Sequence, residues 1–320
     1  MKVYFFIVTV FLLIYYIVFY KKYRNKEDLT MTPPKKILFA TDLSARSDRA
    51  QDRAVMLMKE YNAELIVLHV IEPVKEFHVI RRGRFSPSYK FNTKHIESAK
   101  KYLREDLAKL GDKVKIRIET GHPADVIPAV AGEESCDLIV TGVARNEMLG
   151  RFTLGKTVDR LLKRSEIPLL IVTGKVRAEY KNIVITTDFS ETSARALKAA
   201  LSLFPEHNLA LLNSFSAPGS YAVEDTGGYI QHMREIVFQE CTEFLNRTIL
   251  NDELRARISI MIEWGDLSRL LNNLVSSSSI DLVVLGSEIR GVLLDLFTTS
   301  ATERIVSVLP CDALIIRNKK

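Results

Sequence analysis

Three cysteines in 320 residues, Cys136, Cys241 and Cys311, form no spaced framework, and no pair has zinc-ligand separation. A disulfide scaffold and a structural zinc site are excluded; reduced thiols in the core of a cytosolic domain are expected instead. Six histidines and one tryptophan add little. His69 falls inside an apolar run, His122 follows a glycine in a turn, and Trp264 follows a strand and should pack. There is no Ser-His-Asp arrangement, no pair of carboxylates on one helix face and no cluster with metal-ligand spacing. Positive charge is scarce where a nucleic-acid surface would need it. Residues 1–36 carry seven Lys or Arg and two Asp or Glu, a balance of +5 against +6 for the whole chain, which leaves +1 for residues 37–320. Nucleic acid is therefore not an expected partner, and Arg81, Arg82 and Arg84 read as a solvated loop.

What is present begins with MKVYFFIVTVFLLIYYIVFY, residues 1–20, which hold 18 apolar residues and one charge, Lys2. As a helix this run would span about 30 Å, the thickness of bilayer hydrocarbon. It is long for a signal peptide, and no small-x-small cleavage site follows it. The basic cluster Lys21, Lys22, Arg24 and Lys26 comes next, and such an excess marks the cytoplasmic side and favours anionic lipid. The expectation is a single-pass membrane protein with its folded domains in the cytoplasm.

An eighteen-residue pattern then occurs twice, as ILFATDLSARSDRAQDRA at 37–54 and IVITTDFSETSARALKAA at 183–200. Eight positions are identical without a gap, among them Thr41/Thr187, Asp42/Asp188, Ser44/Ser190 and Ser47/Ser193. Each copy is a β-branched run, a Thr-Asp pair, a polar turn and an amphipathic helix, with Ser44 a candidate N-cap. Further apolar runs follow in the same order in both halves: ELIVLHV, residues 113–119, DLIVT and residues 169–172 in the first, and their counterparts near 209, 258, 282 and 313 in the second. Residues 72–92 read as irregular and basic. Continuous apolar strands separated by helices predict a parallel sheet covered on both faces. The fold class is α/β: two tandem doubly wound five-stranded parallel-sheet domains after one transmembrane helix. The divisions are 1–20 for the span, 21–35 for a basic linker, 36–174 and 182–318 for the domains, and 175–181 for the linker between them.

In such sheets ligands bind beyond the carboxyl ends of the strands, where strand order reverses. Asp42 and Asp188 stand there, able either to accept from a base amine or ribose hydroxyl or to cap the following turn. The loop from Gly142 to Thr157 offers Gly155, then Lys156 and Thr157 at a helix start, where backbone N–H groups and positive potential suit phosphate. Gly150, Gly155, Lys156 and Thr157 literally match a phosphate-loop pattern, but they follow the fourth strand, not the first, and enclose Phe152 and Leu154. The equivalent loop of the second half carries Glu288 and Asp295, which oppose phosphate.

On these residues the chain resembles a tandem universal stress protein of the UspA family, over about residues 35–318. ILFATDLSARSDRA is similar to that family's first strand, aspartate and helix, and the loop 142–157 to its G-x2-G-x9-G-[ST] nucleotide motif. PLLIV and PCDALIIR are similar to its last strand, used in the family for dimerisation. The resemblance implies an adenine-nucleotide site, for ATP, at Asp42, Val70, Gly142, Gly155, Lys156 and Thr157, with Arg145 where the motif has its second glycine. A bound triphosphate could bring Mg2+ with it. In the second half Asp188, Gly286 and Ser300 match, while Ile289 and Thr299 replace glycines, which implies a degenerate second site. It further implies an internal pseudo-dimer through the last strands, with homodimers of whole chains left open, and a regulatory ligand in place of a substrate. The alternatives are an interaction module that binds no nucleotide and a slow ATP hydrolase.

Overall fold

The computed structural model describes residues 33–45, 47–80, 84–90, 93–143, 145–148, 151–218, 224–287 and 301–317. The expected span over 1–20 and most of its basic linker lie outside these; among the described residues no helix is long and apolar enough to cross a membrane.

The first half runs β1 (Lys36–Thr41), α1 (Ser47–Glu60), β2 (Glu64–Ile71), a hairpin of β3 (Val74–Ile80) and β4 (Arg84–Lys90), α2 (Thr93–Leu107), a 3-10 turn, β5 (Val114–Thr120), α3 (Pro123–Glu133), β6 (Leu138–Gly142), a second hairpin of β7 (Arg145–Met148) and β8 (Arg151–Leu154), α4 (Lys156–Arg164) and β9 (Leu169–Val172). The second half runs β10 (Ile183–Thr186), α5 (Glu191–Leu203), β11 (Leu209–Phe215), α6 (Thr226–Thr248), α7 (Asp252–Ala256), β12 (Ile258–Trp264), α8 (Leu267–Ser278), β13 (Leu282–Ser287), α9 (Ala301–Val308) and β14 (Asp312–Arg317).

The ten main strands form one continuous sheet in the order β12-β11-β10-β13-β14-β9-β6-β1-β2-β5. Each half contributes five parallel strands, with β1 and β10 as the points where strand order reverses. The two expected sheets are thus joined edge to edge, through antiparallel pairing of β9 with β14 in which Leu170 faces Leu314. Leu170 pairs with Val140 on β6, and Leu314 with Val284 on β13. Both leucines therefore hold the same place in their own half, and the pseudo-twofold axis passes beside this pair. The last-strand pairing expected from the sequence is present.

Local chemistry explains why both halves close alike. At the start of each sheet one aspartate ties two strands: Asp137 accepts from the backbone N–H groups of Lys35 (2.8 Å) and Lys36 (3.0 Å), and Asp281 from those of Lys181 (3.0 Å) and Asn182 (3.0 Å). At the other end the His69 ring Nδ1 lies 2.9 Å from the Thr41 carbonyl, and the Asn213 amide donates to the Thr187 carbonyl at 2.8 Å. A carbonyl only accepts, so His69 carries its proton on Nδ1. The inner strands are apolar and mostly buried on both faces, the edge strands β5 and β12 are only partly buried, and one hydrophobic core runs from Leu38, Ile66 and Ile139 through Leu169 to Val184, Val283 and Ile315. Cys136, Cys241 and Cys311 are buried and form no disulfide, as expected.

Several expectations need correction. Residues 72–92, read as irregular, contain the β3–β4 hairpin, and the loop after β6 contains the β7–β8 hairpin. Ser44 does not cap α1: its hydroxyl donates to Asp42 (2.6 Å), and its carbonyl accepts from the Ser47 N–H (2.8 Å). Trp264 is 47 % exposed and not packed away.

Candidate functional site

Beyond the carboxyl ends of β1 and β6 the first half encloses a cavity of about 310 Å³. Asp42, Val70, Gly142, Gly155, Lys156 and Thr157, which sequence reasoning selected from four separate stretches, all line it. A more open hollow of about 540 Å³ adjoins it through Asp42, Val70 and Glu72 and extends to Tyr102 on α2. Sequence reasoning missed Glu72, Thr141, Pro123 and Ile127, which also line the first cavity. Topology alone could have found them, since each stands at the carboxyl end of a strand or the start of a helix that follows one.

The Thr-Asp pair builds a turn with two side-chain hydrogen bonds. Thr41 Oγ1 accepts from the Leu43 N–H (3.0 Å), and Asp42 Oδ1 from the Ser44 N–H (3.0 Å). Leu43 is thereby held at φ 59°, a left-handed conformation that a bulky side chain seldom adopts. The second half repeats this: Thr187 Oγ1 with the Phe189 N–H (3.0 Å), Asp188 Oδ1 with the Ser190 N–H (3.1 Å), and Phe189 at φ 65°. Such strain persists only where its surroundings enforce it, and it gathers at functional sites. Burial pushes the Asp42 carboxyl up, but the Ser44 hydroxyl and amide and the Ser47 hydroxyl outweigh it and hold the group below its usual range. Asp188 is depressed in the same way: burial raises it, and Ser190 and Ser193 lower it further. Both alternatives weighed for these aspartates are compatible, because each caps its turn and also faces a cavity.

At the opposite wall α4 starts on Gly155, whose φ −61° and ψ 145° are ordinary N-cap angles, and no side chain caps the helix. The first N–H groups of α4 therefore point out of the helix without a side-chain acceptor, beside Lys156 and Thr157. Arg145 begins β7, opposite Leu154; its side chain lies outside the described residues, as do Gly150, Ile289, Thr299 and Ser300.

The second half has its own cavity, of about 380 Å³, at the ends of β10 and β13. Asp188 and Gly286 line it. The glycine has a packing reason: a Cβ on Gly286 would lie 2.9 Å from the Thr192 carbonyl oxygen. Two features here escaped sequence reasoning. Lys163, on α4 of the first half, reaches this second cavity and pairs with Glu303 on α9 (3.5 Å) and with Asp159 on its own helix (3.3 Å). Burial alone would lower the lysine, but the charges of Asp159 and Glu303 outweigh it and raise it. Glu303 itself is 5 % exposed. A single nine-residue helix thus has its N-terminus in one cavity and its C-terminal turn in the other. No group of three or more potential metal ligands occurs among the described residues.

The sequence profile of the universal stress protein family matches residues 33–173 and again 179–317. A universal stress protein of Methanocaldococcus jannaschii is 28% identical over 149 residues, which is 47% of this chain and 85% of that protein. A putative universal stress protein of Staphylococcus aureus is 28% identical over 168 residues, 49% of this chain and 95% of that protein. Each of these aligns with about half of the chain. Among solved structures, a universal stress protein from Archaeoglobus fulgidus superposes with a TM-score of 0.59 at 17% identity, covering 88% of this chain and 98% of that one. A putative universal stress protein from Pseudomonas aeruginosa gives 0.59 at 18%, covering 89% and 93%. At these identities the likeness is one of fold, and it spans both halves.

Proposed function

The chain belongs to the universal stress protein family, twice over in tandem, and on that premise we propose that its first domain binds an adenine nucleotide, ATP, as a regulatory ligand. The observation that carries this reading is the uncapped start of α4 facing a cavity at the point where strand order reverses. Phosphate oxygens would take up the free N–H groups and the charge of Lys156, with Gly142 and Gly155 allowing close approach and Thr157 adding a hydroxyl. Asp42 and Val70 would hold the nucleoside end, and Arg145 would add charge where the motif has lost a glycine. Mg2+ would arrive with the triphosphate. The second domain is the degenerate partner and takes no ATP. Binding would shift which surface the protein offers to others. Residues 1–20 would anchor it in a membrane, with both domains on the cytoplasmic side.

Gly155→Asp is the sharpest test. The backbone angles at 155 suit aspartate, a favoured N-cap, so folding is preserved while a carboxylate takes the place of the phosphate. ATP affinity, measured by calorimetry, should fall by at least about tenfold, equivalent to about 1.4 kcal/mol. Undiminished binding, or none by the unaltered protein, would remove the reading. For the anchor, the intact chain should sediment with membranes through a high-salt wash, and a chain without residues 1–20 should not.

A further inference from the structure

Charge is unevenly spread over residues 37–320. Residues 74–90 carry five Lys or Arg and one Glu, a balance of +4 inside a stretch whose total is +1, so the remainder stands at −3. This basic segment is the β3–β4 hairpin. Lys75, Arg84 and Lys90 belong to its strands; Arg81 and Arg82 stand between them in the sequence, outside the described residues.

In an antiparallel pair, residues directly opposite one another share a face, and the face alternates along the strand. Phe77 pairs with Pro87, Val79 with Phe85 and Lys75 with Tyr89, so one face is apolar and aromatic apart from the lysine at its base. Glu76 pairs with Ser88 and His78 with Ser86, and the second face, which also takes Arg84, is largely polar. Among the described elements β3 and β4 make their close contacts with each other, and they pair with no strand of the main sheet. A two-stranded hairpin alone is marginally stable in water and needs a surface against its apolar face.

From this placement we infer that the hairpin docks on the surface of an anionic lipid bilayer, with its apolar face at the acyl boundary and its basic residues among the headgroups. Interfacial elements are held by buried apolar area together with the attraction of Lys and Arg to anionic lipid, and aromatic residues suit that depth. A surface for single-stranded nucleic acid combines stacking rings with basic residues along one groove. Here Phe77, Val79, Phe85 and Pro87 fall together on one face, and Arg84 falls on the other. A second copy of the hairpin would set two basic segments against each other, whereas anionic lipid neutralises both the strand residues and their neighbours in sequence. The inference does not depend on residues 1–20 forming an anchor.

The test places a polarity-sensitive fluorophore on full-length chains carrying Val79→Cys or Ser86→Cys, in vesicles of phosphatidylcholine alone or mixed equally with phosphatidylserine. Cys136, Cys241 and Cys311 are buried, and the unsubstituted chain sets the background labelling. Nitroxide-bearing lipid should quench the label at 79 in the anionic vesicles and the label at 86 far less. Phosphatidylcholine alone should give little quenching at either. Arg84→Gln, which leaves the apolar face unchanged, should shift the balance from docked to free hairpin about fivefold, the effect of one basic residue near an anionic surface. Phe85→Ser should abolish the quenching at 79; if that change disrupts the hairpin, the lipid comparison and Arg84→Gln still decide. The inference is overturned if the two labels are quenched alike, if phosphatidylcholine alone quenches as strongly as the mixture, or if Arg84→Gln changes nothing. Shielding of the label at 79 from iodide without quenching by lipid would assign the face to the protein itself or to a second copy, and would overturn it too. So would binding of a single-stranded RNA with no quenching at 79 in anionic vesicles.

Discussion

Asp312 is almost wholly buried, and its neighbours are donors and a cation. Its Oδ1 accepts from the backbone N–H groups of Thr173 (2.8 Å) and Gly174 (3.1 Å), and its Oδ2 from the Tyr180 hydroxyl (2.7 Å). Arg53 Nε lies 3.4 Å from Oδ2, and the guanidinium stacks 3.8 Å from the centre of the Tyr180 ring while donating to the Ala178 carbonyl. Arg53 is on α1, Asp312 on β14 and Tyr180 in the connection between domains, so three parts of the chain meet in one cluster. Burial and then the Asp312 charge push the Tyr180 phenol well above its ordinary range, so it stays a donor. Removing one partner of such a pair strands the other charge. Asp312→Ala should therefore cost about 3–5 kcal/mol of unfolding free energy, read by chemical denaturation. A loss under about 1 kcal/mol, the level of an exposed pair, would mean that solvent reaches Arg53. The sequence hid this cluster: Arg53 reads as a surface residue of an amphipathic helix, and Tyr180 sits in a stretch taken for a polar linker.

Elements were legible where one signal ruled them. The inner strands of the sheet declared themselves as apolar runs, and the duplicated Thr-Asp turn as a repeat, because burial on both faces and a shared turn constrain residue type strongly. The two hairpins were not legible. RFSPSYK, which forms β4, contains Pro87, a residue that argues against a strand except at an edge, and β3–β4 stands outside the main sheet. Of the site, Asp42, Gly155 and Lys156 were readable from local pattern, whereas Lys163 in the opposite cavity depends on how the halves join. Gly286 illustrates a pattern with two causes, since a motif glycine and a packing glycine look identical in sequence. Gly286→Ala should separate them. If packing of β13 on the start of α5 is the reason, the added methyl forces backbone apart and destabilises by about 1–3 kcal/mol. A neutral substitution would return the glycine to a ligand-binding role.

At the scale of the whole molecule, the pairing of β9 with β14 turns two domains into one sheet. Leu170 and Leu314, both 2 % exposed, lie at its centre, and apolar residues of both halves pack in one cluster. Domains joined by a small polar contact unfold separately; domains sharing a buried core need not. β9 and β14 are occupied by each other within the chain, which leaves β5 and β12 as the sheet edges. β5 is guarded by Arg117, which pairs with Glu119, Glu133 and Glu134, a charged edge of the kind that resists strand addition. The joined sheet predicts that both halves melt together. Trp264, the sole tryptophan, reports on β12 at the far end of the second domain. Cys136 reports on the first, because burial pushes its thiol up to about 11 and keeps it unreactive near neutral pH while folded. In a chain with Cys241 and Cys311 replaced by alanine, the denaturant midpoints for tryptophan emission and for labelling of Cys136 should coincide. Leu314→Asp, which places a charge at the pseudo-twofold axis, should lower both together; two separate midpoints in the parent, or a shift of the tryptophan transition alone in the variant, would show that the halves hold together only loosely.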